Sequence, residues 1–344
     1  MKYSVDAMFE GVRSSNRRML AKAISLVEST SKNDIEIRDE LLTRLLPYSG
    51  NAKRIGITGS PGVGKSSLIE KLGLHIVQQG HSLAVLAIDP SSSLSGGSIL
   101  GDKVRMHELS LQENVFIRPS PAGTTLGGTA RRTRECMLLC EAAGFDIVFV
   151  ETVGVGQSET AVASMVDLFL LLMLPNSGDD VQGIKRGIME MADIIAITKY
   201  DASQEQSERT ATMLRSILRL ILPKSEHWRQ TVLTTSSQTT YNIDTLWKLC
   251  LEFYAGEVRT EAVKQEREKQ MSTWFRRMIH DDVLMDFHST TGMKEKLSEV
   301  ENEVRTNNIL PSAAARKVLQ FYKQQQQISN GYQSNTNSIT TEQY

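Results

Sequence analysis

The sequence predicts an α/β fold, in which a mainly parallel sheet is covered by helices and helical extensions stand at both ends of the chain. Six short apolar segments alternate with stretches of helical periodicity between residues 54 and 235. This alternation is typical of parallel strands joined by helical crossovers, and continuous apolar runs indicate strands that are buried on both faces. The six segments are Arg54–Thr58, Ser82–Ile88, Asp146–Val150, Leu168–Leu174, Ile194–Thr198 and Val232–Thr235.

A helical extension over residues 1–50 precedes the predicted sheet. Between Arg17 and Glu28 the apolar residues recur at the spacing of an amphipathic helix. These residues are Leu20, Ala23, Ile24 and Val27. The domain that contains the sheet is then expected to cover residues 51–255.

Composition and charge exclude several classes of protein. The 344 residues carry 39 Lys and Arg against 40 Asp and Glu, a formal net charge of −1. A general nucleic-acid binder needs surplus positive charge to displace counterions from phosphates, so we expect no nucleic-acid partner. The hydrophobic share is 40% with Tyr included and becomes about 45% when Gly is counted in place of Tyr, which is typical of a globular protein. The longest apolar run, Leu168–Leu174, is far shorter than the roughly 20 residues of a membrane span, so we expect no membrane association.

The cysteines and histidines show no metal-binding or disulfide pattern. Cys136, Cys140 and Cys250 are too few for a secreted disulfide framework, and no pair has the CxxC spacing of a zinc or redox site. Cys136 and Cys140 stand one helical turn apart, which favours core positions over metal ligation. The six histidines form no cluster with metal-ligand spacing. We therefore expect a reducing compartment and no tightly bound metal or organic cofactor.

The most informative segment begins at Gly59, directly after an apolar strand, and satisfies the pattern GxxxxGK[ST]. A helical pattern follows over residues 68–77, so both contextual requirements of a phosphate-binding P-loop are met. Backbone N–H groups point into such a loop, Lys65 reaches the β- and γ-phosphates of a nucleotide, and Ser66 offers a hydroxyl oxygen to Mg²⁺. The predicted nucleotide-binding residues here are Gly59, Ser60, Pro61, Gly62, Val63, Gly64, Lys65, Ser66 and Ser67.

The end of the third apolar segment has the form of a Walker B and switch II sequence. Glu151 follows the strand directly, and Gly154 comes three residues later. A carboxylate at this place can hold the water shell of Mg²⁺, and the glycine N–H can contact a γ-phosphate. We therefore predict a catalytic and metal-binding role for Glu151 and a nucleotide contact for Gly154.

The loop after the second apolar segment is polar, glycine-rich and long, which suits a switch loop. It contains Asp89 at the strand end and Asp102 further along, and either carboxylate could approach the metal. The predicted catalytic residues are then Lys65, Asp89, Asp102 and Glu151. The predicted Mg²⁺ site consists of Ser66, Asp89, Asp102 and Glu151.

Two later segments favour guanine over other bases. The sequence Thr-Lys-Tyr-Asp at 198–201 resembles the [NT]KxD motif, in which the aspartate accepts hydrogen bonds from guanine N1–H and N2–H₂ and the lysine stem packs over the ring. The sequence Thr-Ser-Ser-Gln at 235–238 ends the sixth apolar segment, where GTPases carry a loop that contacts the guanine O6. The predicted base-binding residues are Lys199, Asp201, Ser236, Ser237 and Gln238.

The C-terminal quarter has a different organisation. The strand and helix alternation stops near Gly256, and a charged stretch leads into an apolar helical stripe. The stripe consists of Trp274, Met278, Val283 and Phe287. We predict a helical region over residues 256–325 that packs on its own domain or on a partner. Residues 326–344 are rich in Gln, Ser, Asn and Thr, and we expect them to be disordered.

Taken together, these motifs resemble the SIMIBI class of P-loop GTPases, and more closely its MeaB/methylmalonic-aciduria-type-A subfamily. The resemblance covers roughly residues 11–325. Its segments at 151–159 and 178–187 are specific to the subfamily rather than to GTPases at large. The five segments that carry it are Gly59–Ser67, Asp89–Ser92, Gly96–Lys103, Glu151–Glu159 and Gly178–Gly187.

The resemblance implies a GTP-binding and GTP-hydrolysing chaperone for adenosylcobalamin-dependent methylmalonyl-CoA mutase, which gates cofactor delivery and protects or reactivates the mutase. It implies GTP or GDP with Mg²⁺, with the four predicted metal-site residues around the ion and the attacking water. It also implies a homodimer in which helices around Trp274 reach across to the second subunit. Residues 178–187 would form a third switch, in which Gln182 and Lys185 couple the nucleotide state to the partner.

The sequence departs from the usual pattern at two positions. Thr198 stands where many GTPases have Asn, and Asn242 stands where a glycine is usual, although Asn tolerates the same left-handed backbone. No arginine can be identified as an arginine finger, so intrinsic GTP hydrolysis should be slow and depend on ordering by the partner. No convincing transit peptide is visible in residues 1–20, and we expect the mitochondrial matrix for a eukaryotic source and the cytoplasm otherwise.

Two alternative functions remain open at this point. A metallochaperone GTPase of the nickel-insertion type would need Cys and His ligands at short spacing, and His107 and Cys136 are isolated. A small-molecule kinase would need a pocket for the acceptor, whereas the residues after the P-loop are typical of GTPase switches.

Overall fold

The computed structural model describes residues 4–29, 31–89, 106–121, 126–152, 157–175, 186–220 and 227–339. The chain divides into two compact units, Met1–Gln270 and Met271–Tyr344. The sheet belongs to the first unit, and the described part of the second unit is helical. No helix of the described residues is long and apolar enough to cross a membrane.

Seven parallel strands form the sheet, which agrees with the predicted α/β class. The strands are β1 (Lys53–Gly59), β2 (Leu83–Asp89), β3 (Val115–Pro121), β4 (Ile147–Thr152), β5 (Leu168–Met173), β6 (Ile194–Ile197) and β7 (Thr231–Thr234). Their order across the sheet is β3-β2-β4-β1-β5-β6-β7. The strand that leads into the predicted P-loop is therefore central, between β4 and β5.

The described residues also form 13 α-helices. Those before and between the strands are α1 (Val5–Arg13), α2 (Arg17–Glu28), α3 (Ile35–Leu45), α4 (Lys65–Gln78), α5 (His107–Ser110), α6 (Leu126–Ala142), α7 (Gln157–Ala163), α8 (Arg186–Met191) and α9 (Gln204–Leu218). Those after the last strand are α10 (Ile243–Phe253), α11 (Glu257–Ser289), α12 (Met293–Arg305) and α13 (Pro311–Ile339).

Helices cover both faces of the sheet, because successive side chains of a strand point to opposite faces. In β4, Val148 and Val150 join the apolar cluster that contains residues of α1, α2 and α6. Ile147 and Phe149 join the other cluster, which contains residues of α4 and α10. All six residues of β4 are buried, as the continuous apolar run predicts.

The predicted N-terminal helix is confirmed as α2. Asn16 caps it, and its side-chain oxygen accepts hydrogen bonds from the backbone N–H groups of Arg18 and Met19. The four apolar residues of the predicted stripe are all buried in the cluster on the α6 side of the sheet. The N-terminal extension therefore forms part of the cover of one sheet face.

Strand β3 is the one strand of the described sheet that the apolar pattern does not predict. Its second half contains Arg118 and two prolines, Pro119 and Pro121, which interrupt an apolar run. The strand lies at the edge of the sheet and pairs only with β2, so the missing N–H groups of the prolines leave no second ladder incomplete.

Part of the charged stretch after Gly256 is packed against the sheet rather than solvated. Arg267 on α11 makes a bidentate ion pair with Asp167, whose side chain is 1% exposed, with nitrogen to oxygen distances of 2.6 and 2.7 Å. The same carboxylate accepts hydrogen bonds from the Arg54 N–H and the Tyr254 hydroxyl. This network attaches the first half of α11 to the strand ends opposite the P-loop.

The second unit has a small apolar core of its own, formed by Met293, Val300, Ala314 and Val318. Helix α13 ends at Ile339. The disorder expected for residues 326–344 stays a prediction. The predicted boundary at residue 256 coincides with the start of α11, whereas the compact units divide within that helix.

Candidate nucleotide-binding site

The predicted P-loop connects the end of β1 to the start of α4. Gly59 is required by a close approach, because a Cβ atom there would lie 2.6 Å from the carbonyl oxygen of Leu172 on β5. Gly64 has a left-handed backbone with φ of 98° and directly precedes α4. It provides no side-chain cap to the helix, so the first N–H groups of α4 remain open to an anionic ligand.

Lys65 lies at the first position of α4 and is only 8% exposed. Its ammonium group donates to the carbonyl oxygens of Gly59 at 2.6 Å and Ser60 at 3.1 Å. Burial lowers the pKa of the Lys65 ammonium, and the nearby carboxylates of Glu151 and Glu159 act in the opposite direction. A compact positive charge is thus held inside the loop that precedes the helix.

Ser66 and Glu151 meet between the start of α4 and the end of β4. The Ser66 hydroxyl donates to Glu151 Oε1 at 3.2 Å, and Glu151 is only 3% exposed. Both side chains offer oxygen atoms, which are the ligands that Mg²⁺ prefers. The donor set of the predicted metal site therefore fits the ion at the two positions that the structure describes.

The remaining predicted residues of the phosphate end are described only in part. Asp89 is the last residue of β2, so its backbone lies at the carboxyl ends of the strands, as Gly59 and Glu151 do. Its side chain is outside the described part of the structure. The other predicted positions outside the described residues are Asp102, Gly154, Gln182 and Lys185.

The predicted base-binding residues also lie at the carboxyl ends of the strands. They follow β6 and β7, on the far side of β5 from the P-loop. Asp201 is exposed, and its Oδ1 accepts a hydrogen bond from the buried hydroxyl of Ser236. Lys199 is also exposed and has a left-handed backbone with φ of 57°. Ser237 and Gln238 occupy the turn between β7 and α10. The structure therefore brings together the two sequence segments predicted to recognise the base.

Thr198 connects the base-binding end to the phosphate-binding end. Its buried hydroxyl donates to the Val63 carbonyl in the P-loop at 2.7 Å. The sequence pattern identified this residue only as a departure from Asn, and it did not predict the contact. A hydroxyl and an amide can both donate to a carbonyl oxygen, so the substitution preserves the chemistry of the contact.

Side-chain contacts stabilise the turn after β7. Asn242 has φ of 58°, which confirms that it takes the left-handed conformation usual for glycine. Its side-chain amide donates to the Thr234 carbonyl at 2.9 Å. Nearby, the rings of Tyr200 and Tyr241 stack with centroids 4.3 Å apart. These contacts fix the turn that carries Ser236 beside Asp201.

Sequence motifs assigned no individual role to Glu159, a residue of α7 that the structure places next to the P-loop. Glu159 is 6% exposed, and its carboxyl group accepts a hydrogen bond from Thr58 at 3.4 Å. The subfamily-specific segment Glu151–Glu159 ends at this residue, and that segment is the sequence feature that points to it. Among the described residues, no three His, Cys, Asp or Glu side chains cluster in a way that could hold a metal ion.

The described geometry can bind a nucleotide along the carboxyl ends of the strands. An open helix N-terminus and a buried lysine lie at β1, oxygen ligands lie between α4 and β4, and an exposed aspartate lies at β6. In parallel α/β sheets, ligands bind at the carboxyl ends of the strands, which is where all three groups lie.

Comparison with known proteins agrees with this geometry. The family model described as methylmalonyl-CoA mutase-associated GTPase MeaB matches residues 20–292. GTPase ArgK of Escherichia coli is 41% identical over 315 residues, which is 91% of this chain and 95% of ArgK. The mitochondrial methylmalonic aciduria type A homolog of Mus musculus is 42% identical over 330 residues, 93% of this chain and 80% of the mouse protein.

A solved structure described as a LAO/AO transport system kinase has the same fold. It is 34% identical to this chain, covers 94% of it and 99% of its own length, and superposes with a TM-score of 0.76. The family match, the related sequences and the parallel sheet all agree. The chain therefore belongs to the MeaB family of P-loop GTPases, is related to the methylmalonic aciduria type A proteins, and is an enzyme that hydrolyses GTP.

Proposed function

We propose that this GTPase gates the delivery of adenosylcobalamin to methylmalonyl-CoA mutase and protects or reactivates the mutase. The observation that carries the proposal is the match of residues 20–292 to a family described by its association with that mutase. The mouse relative, named for methylmalonic aciduria, supports the same partner. In this account, binding and hydrolysis of GTP change how the chain engages the mutase.

The phosphates of the nucleotide would lie against the start of α4. Backbone N–H groups of the P-loop and the Lys65 ammonium would bind the phosphate oxygens, where negative charge increases during hydrolysis. The Lys65 ammonium donates to the neutral carbonyl groups of Gly59 and Ser60. A phosphate oxygen would offer it a charged acceptor, and hydrogen bonds between charged groups are stronger.

Ser66 and Glu151 would hold Mg²⁺ together with Asp89 and Asp102. When bound, the ion supplies neutralisation of phosphate charge. The buried Glu151 carboxylate, which accepts a hydrogen bond from Ser66 at 3.2 Å, would orient a water molecule of this site. Gly154 would contact the γ-phosphate, and Gln182 and Lys185 would couple the nucleotide state to the mutase.

Asp201 would select guanine. Its exposed carboxylate can accept hydrogen bonds from guanine N1–H and N2–H₂, and the Ser236 hydroxyl holds one of its oxygens in place. Lys199 would pack its stem over the base. Ser237 and Gln238 would provide backbone contacts to the edge of the base, from the turn after β7.

A homodimer is proposed as the functional assembly. Helix α11 exposes apolar side chains at intervals of four residues, and three of them are 49–64% exposed, namely Phe275, Ile279 and Val283. An apolar stripe of this kind on a helix suits contact with a second subunit. Because the mouse relative is named as mitochondrial, a eukaryotic source would place this chain in the mitochondrial matrix, and a bacterial source in the cytoplasm.

The experiment that tests the mutase proposal is size-exclusion chromatography with methylmalonyl-CoA mutase. The chain is mixed with the mutase in GDP and in a non-hydrolysable GTP analogue, each with Mg²⁺. We expect a complex whose amount or size depends on the nucleotide. The absence of association in both nucleotides, with GTP hydrolysis intact, would contradict the mutase proposal and leave the GTPase assignment standing.

A second candidate, a small-molecule kinase, is favoured by the description of the solved relative as a transport system kinase. It predicts a phosphorylated acceptor in place of free phosphate. GTP that carries the radioactive label on its γ-phosphate distinguishes the two reactions once the products are separated. We expect the label in inorganic phosphate.

A further inference from the structure

Three buried polar side chains form a connected group behind the P-loop. Thr58 on β1 and Thr152 on β4 have fully buried side chains, with their hydroxyl oxygens 2.7 Å apart. Thr58 also donates to Glu159 Oε1 on α7 at 3.4 Å. Thr58 directly precedes Gly59, so the group lies at the point where β1 becomes the P-loop.

The direction of these hydrogen bonds follows from the chemistry of the groups. A carboxylate only accepts, so Thr58 uses its one proton toward Glu159 and accepts a proton from Thr152. Thr58 is therefore the central member, because it is bonded to both of the others. Loss of its hydroxyl would leave two buried polar groups without this contact.

The group extends the alignment of β1 and β4 beyond their backbone pairing. The last backbone pair between these strands is Ile57 with Glu151. One residue further on, the strands are joined by the hydroxyl groups of Thr58 and Thr152. The position of Glu151 relative to the P-loop thus depends on a side-chain contact as well as on the ladder.

Helix α7 packs on the same face of β1. A Cβ atom on Gly56 would lie 2.8 Å from Val162 Cγ1, so the helix and the strand approach each other closely at this point. Gly56 and Thr58 lie on one face of β1 because they are two residues apart. Glu159 and Val162 lie on one face of α7 because they are three residues apart. The hydrogen bond and the close packing therefore fix the helix at two places.

We propose that Thr58 is a positioning residue for GTP hydrolysis, which holds the Glu151 end of β4 and the start of α7 in register with the P-loop. Thr58 acts through Glu151 and Glu159 and does not contact the nucleotide. The inference rests on the proposed role of Ser66 and Glu151 at the magnesium site. It predicts that removal of the Thr58 hydroxyl slows GTP hydrolysis and leaves GDP affinity nearly unchanged. GDP binding depends on backbone N–H groups and Lys65, whereas hydrolysis depends on the placement of Glu151.

The first test compares Thr58→Val, which keeps the shape of the side chain and removes the hydroxyl, with Thr58→Ser, which keeps the hydroxyl. For Thr58→Val we expect the single-turnover rate of GTP hydrolysis to fall about tenfold or more, because small displacements of catalytic groups carry large penalties. The Kd for GDP should stay within about threefold of the parent, and Thr58→Ser should restore the rate. Thr133→Val, at a buried threonine on α6, should leave the rate unchanged.

The second test is a double-mutant cycle on the hydrolysis rate that combines Thr58→Val with Glu159→Met, which keeps the length of the side chain and removes its oxygen acceptors. Glu159→Met alone should show the same selective loss of hydrolysis, and it tests the proposal if Thr58→Val does not fold. The double variant should be no slower than the slower single variant, because both changes remove the hydrogen bond between Thr58 and Glu159.

A rate within twofold of the parent for Thr58→Val would overturn the proposal. So would an equal loss of GDP affinity, a failure of Thr58→Ser to restore the rate, or multiplicative effects in the cycle. The proposed nucleotide site fails separately, if Lys65→Ala still binds GDP like the parent. The magnesium-site assignment also fails separately, if Glu151→Gln hydrolyses GTP at the parent rate.

Discussion

The phosphate-binding end and the base-binding end of the site are built in different ways. At the phosphate end, Lys65 and Glu151 are 8% and 3% exposed, and the loop conformation depends on Gly59 at the end of the central strand β1 and on Gly64 before α4. At the base end, Lys199 and Asp201 are exposed on loops, and the Ser236 hydroxyl that supports Asp201 is buried.

The difference separates binding strength from selectivity. Buried charges and oriented backbone groups act in a low dielectric and supply most of the affinity for phosphates. An exposed carboxylate contributes less to affinity, but it rejects a base that lacks the matching donors. We therefore expect changes at the phosphate end to remove binding or hydrolysis, and changes at the base end to alter which nucleotide is used.

The largest effect is expected for Lys65→Ala. Removal of the buried ammonium group should raise the Kd for GDP by about 1000-fold, because truncation of one partner of a buried charge pair costs up to about 5 kcal/mol. Titration with a fluorescent GDP analogue measures it. Lys71→Ala on the same helix is the matched control, since Lys71 pairs with Glu108 away from the loop. Binding of GDP by Lys65→Ala with the parent Kd would contradict the P-loop assignment.

A smaller effect, confined to hydrolysis, is expected for Glu151→Gln. The single-turnover rate should fall about 100-fold, because the variant removes a charged oxygen ligand from the proposed site of Mg²⁺, the ion that neutralises phosphate charge. GDP affinity measured without Mg²⁺ should change little. Glu113→Gln, at an exposed position, is the control. An unchanged rate would show that Glu151 is an ordinary strand-end charge.

Thr198→Val tests the connection between the two ends of the site. The Val63 carbonyl would lose its donor, and we expect the Kd for both GDP and GTP to rise about fivefold to tenfold. Thr198→Ser keeps the hydroxyl and should bind like the parent. Isothermal titration calorimetry with each nucleotide measures the effect. An increase for Thr198→Ser as large as that for Thr198→Val would show that packing, and not the hydrogen bond, is responsible.

The smallest effect is expected for Ser236→Ala, which leaves Asp201 present but removes the hydroxyl that orients it. The Kd for GTP should rise about threefold, within the range of a single hydrogen bond. Ser216→Ala on α9 is the control, because its hydroxyl donates to the Thr212 carbonyl within the helix. A competition assay against a fluorescent nucleotide resolves a difference of this size. Equal GTP affinities of the two variants would show that the Ser236 hydroxyl does not contribute to binding.

The contiguous parts of the site were predictable from the sequence. The P-loop lies within nine residues, and its strand and helix are next to it in the chain, so one local pattern contains both the loop and its setting. The strand-end positions of Glu151 and Asp201 followed from apolar runs of buried parallel strands. Six of the seven strands were recognised in this way, and β3 was not, because edge strands tolerate the prolines that break an apolar pattern.

The supporting contacts were not predictable, because they join residues that are distant in the chain. Thr58 bonds to Thr152 and Glu159 across separations of 94 and 101 residues, and Thr198 bonds to Val63 across 135 residues. Which residues face each other depends on strand register and on the placement of α7, and a single sequence without its structure contains no local pattern for either. Arg267 is a similar case, since a charged stretch gives no indication that one arginine pairs with the buried Asp167.

The central claim is that one site at the carboxyl ends of the strands binds the phosphates at β1 and recognises guanine through Asp201. Single-turnover hydrolysis of GTP and of xanthosine triphosphate by the parent and by Asp201→Asn tests it most directly. Xanthine has a carbonyl where guanine has its amino group, and the Asn side chain can donate a hydrogen bond to that carbonyl. We predict that the preference of the parent for GTP falls by about 100-fold or more in the variant and reverses toward xanthosine triphosphate. An unchanged preference for GTP in a folded Asp201→Asn variant would contradict the account.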